Sequence, residues 1–138
     1  MTVNIYIESS IRDPARVKSG VVGFVLQAGD TDATKTVFGT VESVTKNQAD
    51  VICLKNAVSH INGKCDNIFI HTSSGYVYQS ISSLAKNQRF TGTKFKEEWQ
   101  SIHSNLSKTQ FAAVYNEPNE FRSWLQQECE RRAEKHGF

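Results

Sequence analysis

The scarcities of this sequence narrow its possibilities first. Two prolines among 138 residues, with no low-complexity tract and no charge run, leave no candidate linker, so residues 1–138 read as a single domain. No apolar run approaches the ~18 residues of a membrane-spanning helix, which excludes that class of membrane protein. The opening Met1-Thr2-Val3-Asn4 has neither a basic nor an apolar region, so no secretory leader is expected. Three cysteines, Cys53, Cys65 and Cys129, form an odd set without C-x-x-C spacing. That argues against a closed disulfide framework and a structural zinc site, and fits a reducing, cytoplasmic setting. Charge of either sign is nearly balanced, 16 Lys+Arg against 14 Asp+Glu, so only its distribution could mark a nucleic-acid binder.

What is present has clear periodicity. Residues 3–7 (V-N-I-Y-I) and 20–27 (G-V-V-G-F-V-L-Q) are β-branched and apolar and read as strands, separated by a loop around Asp13-Pro14. Gly23 inside the second strand weakens it unless something must approach its backbone closely. A turn at 28–33 and a third strand at 34–44 complete an antiparallel meander. Thr45 and Gln48 then fit a capping box. The helix that follows places Leu54, Ala57 and Ile61 on one stripe and closes at Asn62-Gly63. Residues 67–72 (N-I-F-I-H-T) are a fourth strand, parallel to its partner through the helical crossover. Ser73-Ser74-Gly75 opens a second helix through Ile81. A polar, basic segment at 84–95 is followed by a helix at 97–107, a strand at 111–115, a turn at 116–118 and a terminal helix at 119–135. Trp99 and Trp124, at helical spacing with Ile102 and Leu125, are expected in the core.

This order, βββαβα-αβα, together with four motifs, resembles the type 1 ribonuclease H family over most of the chain. T-S-S-G-Y-V at 72–77 is similar to the family's T-D-S-x-Y-V, and T-K-N-Q-A-D at 45–50 to its T-x-N-x-x-E. I-Y-I-E-S-S at 5–10 stands where the family has I-x-x-D-G-S, and Asp13-Pro14 with G-x-x-G-x-x-L at 20–26 follow in the matching places. The resemblance implies an α/β, ribonuclease H-like fold: a five-stranded mixed sheet with helices on both faces.

It also implies a chemistry. Phosphodiester hydrolysis in this family uses four acids around two magnesium or manganese ions ~3.5–4 Å apart. Glu8 takes the first acidic position and Asp50 the second, each with Asp and Glu exchanged. Ser73 takes the third and Ser123 the fourth, and a neutral hydroxyl replaces neither the charge nor the bridging capacity of a carboxylate. Nothing in the short 115–118 turn corresponds to the family's loop histidine. Glu8 and Asp50 are therefore the candidate metal ligands, with His71, Glu117 or Glu120 as substitutes for the missing acids. The residues themselves leave alternatives open. Glu8 also reads as a polar strand terminus, Asp50 as a carboxylate held by Ser73 or His71, and His71 as a satisfied sheet histidine.

For nucleic acid, the resemblance assigns Thr45 to a phosphate pocket and Asn47 to base contacts. Both are equally explained as helix-capping residues. Lys86, Arg89, Lys94 and Lys96 stand where the family has a substrate-binding protrusion, or form a solvated loop. The leading expectation is a degenerate ribonuclease H-like domain that binds RNA–DNA hybrid. Beside it stand an active hybrid endonuclease with an atypical site and a protein-interaction scaffold.

Overall fold

A computed structural model describes residues 1–29, 31–61 and 65–138. Its elements are β1 (Thr2–Ser9), β2 (Lys18–Ala28), β3 (Thr34–Val44), α1 (Lys46–Ser59), β4 (Asn67–Thr72), α2 (Gly75–Asn87), α3 (Lys96–Leu106), β5 (Gln110–Tyr115) and α4 (Arg122–Lys135). The strands form one mixed sheet in the order β3-β2-β1-β4-β5. The meander β1-β2-β3 is antiparallel, while β4 runs parallel to β1 and β5 parallel to β4. This is the expected α/β architecture.

Alternation along the strands sends side chains to two cores. Val3, Ile5 and Ile7 of β1 and Val22 and Phe24 of β2 pack with Leu54, Ile81, Trp99 and Ile102 from α1, α2 and α3. On the opposite face Tyr6 and Val25 meet Leu125, and Val21 meets Cys129 and Ala133, with Phe38 of β3 packed against both groups, so α4 covers β1, β2 and that edge of β3. Leu125, Cys129 and Ala133 recur every four residues, which is why this otherwise polar helix has a buried seam. All three cysteines are buried and free.

Gly23 is explained by the α4 face. A Cβ there would lie 2.7 Å from the Phe38 ring and 3.1 Å from Cys129 Sγ, so the close approach is of two side chains to its backbone.

Four expectations need correction. The second helix continues past Ile81 to Asn87, because Leu84 extends the Val77–Ile81 stripe into the core and Gln88 ends the helix in the left-handed region (φ 58°). The basic residues are consequently not one loop: Lys86 lies in the last turn of α2 and Lys96 opens α3. The first helix stops at Ser59, capped by His60, and Ile61 follows it; the Asn62-Gly63 closure lies outside the described residues. Trp124 is 48% exposed, since it precedes the buried Leu125 by one residue, about 100° around the helix, and its ring lies edge-on to Phe38 at 6.3 Å.

Candidate active-site cleft

The site forms at the carboxyl ends of two parallel strands. Tyr6 stands beside His71 in the β1–β4 register, so two residues further along each strand Glu8 comes level with Ser73. The Ser73 hydroxyl accordingly donates to the Glu8 carboxylate, at 3.3 and 3.4 Å from its two oxygens. β1 leads next to β2 on one side while β4 leads through α2 and α3 to β5 on the other. Such a switch in strand order opens a crevice where open α/β sheets place ligands.

α1 delivers the second carboxylate. Thr45 caps it by accepting from the Gln48 amide at 3.2 Å, and this start sets Asp50 on the buried stripe with Leu54 and Ala57. Asp50 is only 4% exposed, and its partner is Lys46, whose Nζ lies 2.8 Å from Oδ2. Neither Ser73 nor His71 holds Asp50, contrary to the structural alternative read from the sequence. The i,i+4 spacing of Lys46 and Asp50 on one helix face is the sequence signal for this pair.

Burial raises the pKa of Glu8, and the nearby Asp50 charge raises it further, against the lowering effects of Ser73, Lys46 and Arg12. Burial also raises that of Asp50, opposed chiefly by Lys46 and by a hydrogen bond from Ser74. Ser74 meanwhile caps α2, accepting from the Val77 amide at 3.1 Å.

His71 does not join the acids. Its ring stacks on Tyr6, with centroids 4.3 Å apart, and Nε2 sits 2.9 Å from Asn4 Oδ1. Burial lowers its pKa, opposed by Glu117, which favours the neutral ring. His71 does line a small crevice with Glu8, Ser73, Glu117, Asn119 and Arg122. Ser123 is exposed and absent from that lining. The residues that α4 and its approach bring to the crevice are instead Asn119, whose Oδ1 accepts from the Phe121 and Arg122 amides, and Arg122 itself. Glu120 acts on Tyr6 rather than on the acids, raising its pKa secondarily to burial. Among the described residues, no three His, Cys, Asp or Glu side chains converge as a metal-ligand group.

A second, larger groove of about 440 Å³ runs between the start of α1, α2 and the loop before α3. Asn47 and Lys94 both line it, beside Tyr76, Gln79 and Phe90. Phe90 stacks on the buried Trp99 (centroids 5.6 Å apart), whose Nε1 donates to the Tyr76 hydroxyl at 3.1 Å, so the aromatic wall is fixed. Lys86, Arg89 and Lys96 lie outside this lining. The sequence does not mark Tyr76, Gln79 and Phe90, because nothing local separates a groove aromatic from a core one.

Comparison of the sequence with protein-family profiles and with curated proteins finds no match. Comparison of the fold does. The N-terminal RNase H domain of a Mycobacterium tuberculosis protein superposes with a TM-score of 0.74 at 13% identity, covering 99% of each chain. LC11-RNase H1, solved in complex with an RNA/DNA hybrid, gives 0.68 at 14% identity over 95% of this chain and 98% of its own. RNase H1 of the halophilic archaeon Halobacterium salinarum gives 0.67 at 15% identity over 99% of both. Identities this low carry the fold and not the activity. Strand order, helix placement and these superpositions together establish that the chain has the type 1 ribonuclease H fold.

Proposed function

We propose that this chain is a single ribonuclease H-like domain that binds RNA–DNA hybrid, or a closely related duplex, and has lost most or all phosphodiester hydrolysis. The observation that carries the loss is the donor set at the strand ends. Two carboxylates stand where the family uses four; one is ion-paired to Lys46, and the next position is the neutral Ser73. Magnesium or manganese needs several hard anionic oxygens, and this set does not fit the two-ion arrangement.

The binding half rests on the groove. Asn47 and Gln79 offer amides to base edges, Thr45 and Asn47 stand at the start of α1 where the helix dipole favours phosphate, and Lys94 supplies charge at the rim. Lys86, Arg89 and Lys96 extend that charge across the end of α2 and the start of α3. Contacts of this kind position a duplex by its backbone rather than read its sequence. A hydrolytic reading has one observation in its favour: Glu117 shares the crevice with Glu8 and Ser73 and adds an acid near the site. Among the described residues no helix is long and apolar enough to cross a membrane. The free cysteines accord with the cytoplasmic setting that we propose.

Charge reversal of Lys86, Arg89, Lys94 and Lys96 tests the binding half. Affinity for a hybrid duplex should fall, and the slope of log K against log salt should flatten by about 0.9 for each phosphate that is no longer neutralised. Unchanged affinity and slope would refute this footprint and favour a protein-interaction scaffold.

A further inference from the structure

The Glu8–Asp50 cleft holds a cationic side chain of its own. Lys46 is the first residue of α1, and its ammonium reaches one turn along the helix to Asp50 at 2.8 Å, with the two side chains 24% and 6% exposed. The same ammonium acts on the Glu8 carboxylate, which Ser73 already engages. Every buried side-chain nitrogen and oxygen among the described residues has a hydrogen-bond partner, so none is left waiting for a ligand. A divalent ion entering here would have to displace a lysine from a carboxylate in poorly solvated surroundings, where their attraction is strong. It would then find the two carboxylates of Glu8 and Asp50, with no third ligand converging on them among the described residues.

The lysine is not used up by Asp50. An ammonium carries three N–H donors, and Asp50 is its one partner among the described residues. The Lys46 side chain is 24% exposed, so the lysine is not sealed from solvent. We propose that Lys46 is the resident cation of this cleft, filling the charge role that the ribonuclease H resemblance gives to metal, and that it meets a nucleic-acid phosphate there without a divalent ion. The phosphate half of this inference rests on the proposed hybrid binding. The metal half stands apart from it.

Two measurements separate the halves. Thermal melts of wild type, Lys46→Met and Lys46→Met/Asp50→Asn are compared in EDTA and across MgCl2 and MnCl2 titrations. Wild type should be flat. Lys46→Met should melt lower in EDTA, because it strands a buried carboxylate, and should recover by about 5 °C once the ion is tenfold above its Kd. The double variant should lose that recovery. A wild-type response equal to that of Lys46→Met, or no response in Lys46→Met, overturns the metal half. Should Lys46→Met fail to fold, Lys46→Gln replaces it, and stoichiometric Mn2+ binding by wild type in a spin-resonance titration is equally decisive against the proposal. Hybrid affinity of wild type should agree within about twofold in EDTA and in magnesium, and Lys46→Gln should weaken it in both. A tenfold loss in EDTA would overturn the phosphate half. Absence of hybrid binding under all conditions would instead overturn the proposed function and leave the melts to stand.

Discussion

Replacing Ser73 with aspartate sets a third carboxylate against the site. The Ser73 oxygen lies 3.3 and 3.4 Å from the two oxygens of Glu8, so the new charge would stand about 4 Å from the old one. Two like charges at that distance repel by about 4 kcal/mol at an effective dielectric of about 20. Loss of the hydroxyl donor adds roughly 1 kcal/mol. Glu8 escapes part of this by holding a proton, which burial and Asp50 already favour, leaving a net loss of about 2–3 kcal/mol at neutral pH. At about 4 °C per kcal/mol for a domain of this size, Ser73→Asp should melt roughly 10 °C below wild type without metal. The deficit should shrink toward pH 5, where Glu8 is protonated at less cost. It should also shrink with magnesium, because the third carboxylate gives a hard cation enough charge to bind despite Lys46. The assay is a paired melt by circular dichroism across a magnesium titration at pH 5 and 7.5. Equal magnesium responses in wild type and variant would refute the reasoning, as would a variant as stable as wild type in EDTA at pH 7.5.

Two further outcomes follow from the packing around the site. The folded pKa of Glu8 lies above its ordinary 4.5, so the native state binds more protons than the unfolded chain between the two values. Its contribution therefore weakens the fold as pH rises through the folded pKa, and Glu8→Gln should raise Tm at pH 7.5 while flattening the fall of Tm with pH above 4.5; an unchanged slope would contradict this. Gly23→Ala should cost about 1–3 kcal/mol by pressing on Phe38 and Cys129, whereas Gly39→Ala, whose Cβ would meet nothing within 4 Å, should be neutral or slightly stabilising. Chemical denaturation of both variants checks the contrast, and equal costs would show that the close approach at Gly23 is unimportant.

How far the sequence can be read depends on whether a signal is local. The Thr45 cap, the strand at Asn67–Thr72 and the demand for close approach at Gly23 each rest on neighbours in the chain or on a period of two or four residues, and each is legible. The end of α2 is obscured because Leu84 is a single apolar residue among polar ones, yet it is fully buried. Trp124 misleads because a large aromatic beside Leu125 suggests a core, while a step of one residue turns it outward. At the cleft, the placement of Glu8 beside Ser73 follows from motif resemblance and is met by the register. The Lys46–Asp50 pair is visible as i,i+4 spacing, but spacing alone does not tell an ion-paired carboxylate from a metal ligand. Arg122 in place of Ser123 cannot be read at all, because where α4 starts relative to the sheet depends on how residues 116–121 pack and not on their composition.

Binding without hydrolysis can be tested in both its parts at once: wild-type protein is titrated into a labelled RNA–DNA hybrid in magnesium, with retention and strand cleavage followed in the same samples. The expected result is saturable, salt-sensitive retention, equal in magnesium and EDTA, with no cleavage beyond that given by Asp50→Asn. Magnesium-dependent cleavage of the RNA strand that Asp50→Asn abolishes would contradict it.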